Sequence, residues 1–157
     1  MSVFLLEILA ILIFIKWADL TRIRELFPLV LTGVYARFLE HYIIVDWLHI
    51  WKVHGSKWMD LWIPITADLT VWPVICYLFV QFLPEKRRWL YGGMFVAIMY
   101  TYLQILLWRD VYSIKQGWNL WISPVGDSLY FLLIYLTWRW LRQSQKVQTN
   151  QKKYKVS

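Results

Sequence analysis

The stretch that decides the fold is IPITADLTVWPVICYLFVQFL, Ile63 to Leu83, closed by Pro84. It holds about twenty residues, ~30 Å of helix at 1.5 Å per residue, which matches the hydrocarbon thickness of a bilayer. Its one charged residue is Asp68. Four further apolar runs surround it. Val3 to Trp17 is interrupted by Glu7 and carries Lys16 only at its end, and Leu26 to Val45 opens with Pro28, which suits a first helical turn. Trp89 to Trp108 and Leu120 to Trp140 follow. The first run is short, ~22 Å by the same rise, and must borrow Ala18 to Leu20 or thin the bilayer. A cleaved signal peptide fits it badly: no Lys or Arg precedes it, Glu7 lies inside it, and no small-x-small site follows. The expectation is an all-α integral membrane bundle of five transmembrane helices, about 3–17, 26–45, 63–83, 89–108 and 120–140, within a domain of residues 1–142. The remaining residues, 143–157, form a polar, Gln/Lys-rich basic tail expected to be disordered.

Composition points the same way. Of 157 residues, 59% are apolar and 17% charged, and the mean hydropathy is +0.43. A soluble domain is typically about 45–50% apolar and about 25% charged. Twelve tryptophans are more than so small a core could pack. A lone cysteine, Cys76, excludes an intramolecular disulfide framework and any cysteine-rich metal fold. The chain has no CxxC, no Gly-rich phosphate loop, no GxSxG and no HExxH.

Orientation follows from Lys and Arg placement. Lys16, Arg22 and Arg24 lie between the first two helices, and Lys86, Arg87 and Arg88 between the third and fourth. Arg139, Arg142, Lys146, Lys152, Lys153 and Lys155 follow the fifth. Five crossings put all three groups on one side, leaving Lys52, Lys57, Arg109 and Lys115 on the other. The N-terminus is therefore expected outside and the C-terminus in the cytoplasm. The net charge of +7 reads as topology and attraction to lipid headgroups, not as a nucleic-acid footprint. Tryptophan sorts likewise, since indole prefers the headgroup level. Trp47, Trp51, Trp58, Trp62, Trp108, Trp118 and Trp121 fall at the outer interface, and Trp17, Trp89, Trp138 and Trp140 at the inner one. The loop from Asp46 to Trp62 reads as a short helix lying in the outer interface.

Polar residues inside the apolar runs are costly in lipid, roughly 2.5–3.5 kcal/mol for a charge at the bilayer centre. Gly33, Arg37, Glu40 and His41 share one face of the second helix. Glu7, Asp68, Gln104 and Asp127 come from the other four, and counting helical rise places all seven polar residues ~6–12 Å below the outer surface. Four carboxylates facing one arginine and one histidine cannot all ionise in a dry site without a further cation. Glu7, Arg37, Glu40, His41, Asp68, Gln104 and Asp127 are therefore the candidate ligand-binding residues. They would form an outward-facing acidic pocket for a cation, a proton or a cationic small molecule. The alternative is a structural or accessory subunit whose polar core only ties helices together. Catalysis is disfavoured. Asp68 with Asp127 could act as an acid/base pair, and His41, His49 and His54 with Asp46 could hold a metal, but neither set has diagnostic spacing. No cofactor is indicated. The expected partners are the bilayer and, at ~19 kDa, a second copy or another membrane protein.

Three strings, Asp68-Leu-Thr-Val-Trp-Pro73, Gln81-Phe-Leu-Pro84 and Gly117-Trp-Asn-Leu-Trp121, in this order and spacing, resemble a family of short multi-pass membrane proteins from spore-forming Gram-positive bacteria. The resemblance spans roughly Trp17 to Tyr135. It implies a bacterial plasma membrane and about five helical spans, and supplies no catalytic residues. Locally the same strings have their own reasons. Pro73 frees the carbonyl near Leu69 beside Asp68, and Asn119 is a good N-cap for the last helix.

Overall fold

The structure is a computed structural model and describes residues 2–54, 57–115 and 119–156. Gly117 and Trp118 of the third string, Ser56 in the long loop and Ser157 lie outside the described residues. The chain is predominantly helical. Its five helices are α1 (Ser2–Trp17), α2 (Ile23–His41), α3 (Lys57–Gln81), α4 (Arg88–Trp108) and α5 (Ile122–Val156).

Side-chain contacts set the directions. Glu7 of α1 meets Thr66 of α3 near one end, while Trp17 and Asp19 meet Gln81 at the other, so α1 and α3 run the same way. Arg37 of α2 meets Asp68, and Leu29 meets Cys76, so α2 runs against α3. Tyr100 of α4 stacks on Trp121 just before α5, and Arg88 reaches Tyr135, so α4 and α5 are also antiparallel. The result is an up–down–up–down–up bundle with α3 packed against α1, α2 and α5.

Burial patterns explain the packing. In α1 the buried Val3, Glu7 and Ala10 form one stripe, while Phe4, Leu5, Ile8, Leu9, Leu12 and Ile15 are exposed. α3 is the central element, with Val71, Trp72, Val74 and an unbroken run from Cys76 to Val80 all buried. Around Phe79 gather Tyr91, Phe95 and Phe131, with ring centroids 4.9–5.5 Å apart. Much of α4 and α5 faces outward with apolar side chains; Trp89 is 86% exposed.

Several boundaries differ from expectation. α2 begins at Ile23, so Pro28 lies inside the helix and not in its first turn. Its missing N–H leaves the Arg24 carbonyl without its usual donor four residues on, in the second turn of the helix. α3 begins at Lys57 and contains Pro64 as well as Pro73. α5 does not stop at Trp140, and the segment expected to be disordered continues as helix to Val156. Its Gln, Lys and Arg residues are good helix formers, and no Pro or Gly follows Gly126 to stop it.

The largest correction is the long loop, which does not form an interfacial helix. α2 instead widens into a π-helical turn, Tyr42–Trp47. A short strand β1 (Trp51–Val53) follows and pairs antiparallel with β2 (Tyr112–Ile114) from the loop after α4. Asp110, in left-handed geometry, ends α4 with Val111 N–H donating to Leu106 O at 3.0 Å, and so turns the chain into β2. Trp51, Val53, Tyr112 and Ile114 share the inward face of this ribbon, and Lys52 lies on the other.

Candidate functional site

The site is built around Arg37. Helical spacing puts Gly33, Arg37, Glu40 and His41 on the α2 face that meets α3 and α5. Arg37 Nη1 donates to Glu40 Oε2 at 2.6 Å, one turn on. Its Nε lies 3.7 Å from Asp68 Oδ1 on α3. The guanidinium also rests on the Trp72 ring, Cζ 3.9 Å from the centroid, a favourable cation–π placement. Trp72 is locked in turn by an edge-on contact with Tyr130 at 5.0 Å. Asp127 on α5 lies close enough to interact electrostatically with both Arg37 and Glu40. Gly126 of α5 faces Glu40, and a Cβ there would stand 3.3 Å from its Oε1.

These groups border a cavity of about 150 Å³. Arg37, Glu40, His41, Asp68 and Asp127 form its polar wall. Its aromatic wall comes from Trp51, Trp72, Tyr102 and Tyr112. The ribbon thus roofs the site, with Trp51 and Tyr112 edge-on at 6.0 Å. Five polar atoms of the lining residues are buried with no hydrogen-bond partner among the described residues: Arg37 Nε, Trp51 Nε1, Asp68 Oδ2, Tyr102 Oη and Ser123 Oγ. Buried polar groups normally find a partner, so such a concentration marks a place where water or a ligand supplies it. On the other side of Trp72 the bundle is closed by Leu29, Cys76, Tyr130, Phe131 and Ile134, all nearly inaccessible.

Of the seven residues singled out from sequence, five line this cavity. Glu7 does not; it is buried between α1 and α3 and accepts a 2.7 Å hydrogen bond from Thr66 Oγ1. Gln104 does not line the cavity either, although its buried Nε2 has no hydrogen-bond partner among the described residues. The histidine set does not assemble: His49 and His54 are exposed, and no three His, Cys, Asp or Glu among the described residues are placed to hold a metal. Asp68 and Asp127 do share the cavity, with Arg37 beside Asp68. Sequence reasoning missed Trp51, Tyr102, Tyr112 and Ser123. The only available signal for the ribbon was the apolar–polar–apolar alternation of Trp51-Lys52-Val53 and Tyr112-Ser113-Ile114, too short to carry a strand assignment by itself.

No protein-family model, no curated protein and no solved structure matches the chain.

Proposed function

We propose that the chain is a small multi-pass membrane protein that binds a small organic cation in an outward-facing acidic pocket. The observation that carries the reading is the cavity between α2, α3 and α5. It sets three carboxylates, Glu40, Asp68 and Asp127, against the single guanidinium of Arg37, with unpaired polar atoms in its walls. A cation or bound protons would balance that excess. The carboxylates do not converge as a metal site, whereas Trp51 and Tyr112 offer the aromatic faces that suit an alkylated ammonium. The packed layer beyond Trp72 supports binding from one side over open conduction.

The membrane part of the proposal has separate support. Two helices, Trp62–Gln81 and Arg88–Trp108, are long and apolar enough to cross a bilayer. α1, α4 and α5 also expose many large apolar side chains, which supports a surface that faces lipid. All five helices are read as crossing, in the bacterial plasma membrane that the resemblance implies.

The test is melting temperature in neutral detergent against pH and a panel of tetramethylammonium, choline, ethanolamine and sodium. At a hundredfold excess over Kd a ligand stabilises by about 2.7 kcal/mol. A cation from the panel should raise the parent's melting temperature, and Asp68→Asn or Asp127→Asn should abolish the shift while leaving the fold intact. A parent indifferent to every cation and to pH, with both variants equally stable or better, would leave a polar core that serves only to hold the helices together.

A further inference from the structure

We infer that the opposite end of the bundle carries a site for an anionic glycerophospholipid, formed by a groove between α4 and α5 and the arginines that border it. The inference rests on the membrane-spanning part of the reading above and is independent of the acidic pocket.

The groove has a volume of about 490 Å³, within the range of small-molecule sites. Phe79, Val96, Phe131 and Leu132 give it an apolar lining, and Gly92 and Gly93 form part of its wall. No atom lies within 4 Å of where a Cβ would stand on either glycine, so the helix backbone itself faces the open space. Paired glycines inside a helix weaken it, and here they buy room along its side.

Glycines alone would define nothing; the second observation is what lies at the end of the groove. Arg88 and Tyr135 close it there, and both also line an adjoining depression of about 530 Å³. That depression gathers Arg22, Arg88, Arg139 and Arg142 from three separate segments, with Glu85 as its one carboxylate among the described residues. Arg88 is fixed at the junction, its Nη1 donating to Tyr135 Oη at 2.8 Å and its Nε to Pro84 O at 3.3 Å. Arg22 and Arg142 both lie against the Trp138 ring, 5.7 and 5.8 Å from its centroid. Arg22 is ion-paired with Glu25 at 3.1 Å. An apolar trough leading into a cluster of guanidiniums matches an amphiphile with a fatty chain and a phosphate, because arginine binds phosphate through paired N–H donors. A second copy's apolar helix would fill the trough but leave the arginines unneutralised. Basic pockets between helices at the cytoplasmic face are an established means of holding anionic headgroups.

The test uses the full chain in neutral detergent, with phosphatidylglycerol and phosphatidylcholine of identical acyl chains added in turn. Retained lipid is counted by native mass spectrometry, and melting temperature is followed in parallel. Phosphatidylglycerol should be retained preferentially. Arg88→Gln and Arg139→Gln should each lower the preference about fivefold. Gly92→Leu and Gly93→Leu, whose Cβ atoms enter open space and whose side chains occupy the groove, should abolish retention without lowering the lipid-free melting temperature. Inorganic phosphate, lacking a fatty chain, should produce no shift. Equal retention of the two lipids, a preference unchanged by the leucine variants, or stabilisation by phosphate alone would each overturn the site. So would leucine variants that break up an oligomer and leave lipid retention intact. Flotation with phosphatidylcholine vesicles separates the two readings. Failure to insert removes the membrane reading, whereas an inserted protein without lipid preference fails this site alone.

Discussion

Arg37 is held by three unlike contacts: a short ion pair with Glu40, a longer one with Asp68, and the face of Trp72. Only a flat, delocalised cation makes all three together, so lysine is not an equivalent replacement. Removing the guanidinium leaves Glu40, Asp68 and Asp127 without their counter-charge. Arg37→Leu should therefore cost about 3–5 kcal/mol, the usual range for breaking a buried pair, and Arg37→Lys should fall between it and the parent. Thermal unfolding in detergent measures both, and an Arg37→Leu protein as stable as the parent would mean the carboxylates are already neutral or wet. At this scale the sequence was partly legible. Helical spacing alone put Arg37, Glu40 and His41 on one face with Gly33, because that geometry is local to α2. The reason Gly33 is small is not local. A Cβ there would stand 2.7 Å from Tyr130 Oη and 3.1 Å from Cys76 Sγ, contacts made by two other helices.

Among the elements, the pairing of α1 with α3 is secured at both ends by polar side chains. Glu7 and Thr66 meet at one end. At the other, Gln81 accepts from Asp19 N–H and donates to Trp17 O, both at 2.8 Å, while the Tyr77 hydroxyl donates to Asp19 O. Asp19 also caps the short 3-10 turn Leu20–Arg22. Hydrogen bonds from the hydroxyl and amide of Thr21 hold its carboxyl below the usual carboxylate range, so the cap stays charged to low pH. Gln81→Ala should loosen the link between α1 and α2, at about 0.5–1.5 kcal/mol for each hydrogen bond lost. Faster tryptic cleavage after Arg22 and Arg24 would register the loosening, and cleavage at the parental rate would show that Tyr77 and Thr21 suffice. Gln81 was visible in the sequence as a polar residue within the Ile63 to Leu83 run. Its partners were not, since Trp17 and Asp19 precede it by more than sixty residues. The ribbon was hidden for a related reason: each strand has three residues, and neither has meaning without the other.

For the molecule as a whole, the two ends differ in chemistry. One holds carboxylates under an aromatic roof, and the other gathers Arg22, Arg88, Arg139 and Arg142 around a single depression. In a membrane the basic end is expected at the cytoplasmic face. Single cysteines at Lys52, on the exposed face of β1, and at Gln143, exposed on α5, should therefore label from opposite sides of an intact cell in a Cys76→Ala background. Access to Gln143→Cys from outside, with Lys52→Cys protected, would reverse the orientation.

By itself the sequence determined that the chain makes five helices, roughly where each lies, and which ends carry the basic residues. Hydropathy and helical rise depend only on neighbours along the chain, so these properties survive without knowledge of the packing. The exact helix ends were less legible, because Pro28 and Pro64 lie inside helices that continue past them, and α5 continues to Val156. Only the tertiary structure decided that Asp68 and Asp127 share a cavity with Arg37 while Glu7 and Gln104 stand outside it. That outcome depends on the order in which helices pack and on their rotation about their own axes. It depends as well on two loops that meet as a ribbon to put Trp51 and Tyr112 over the site.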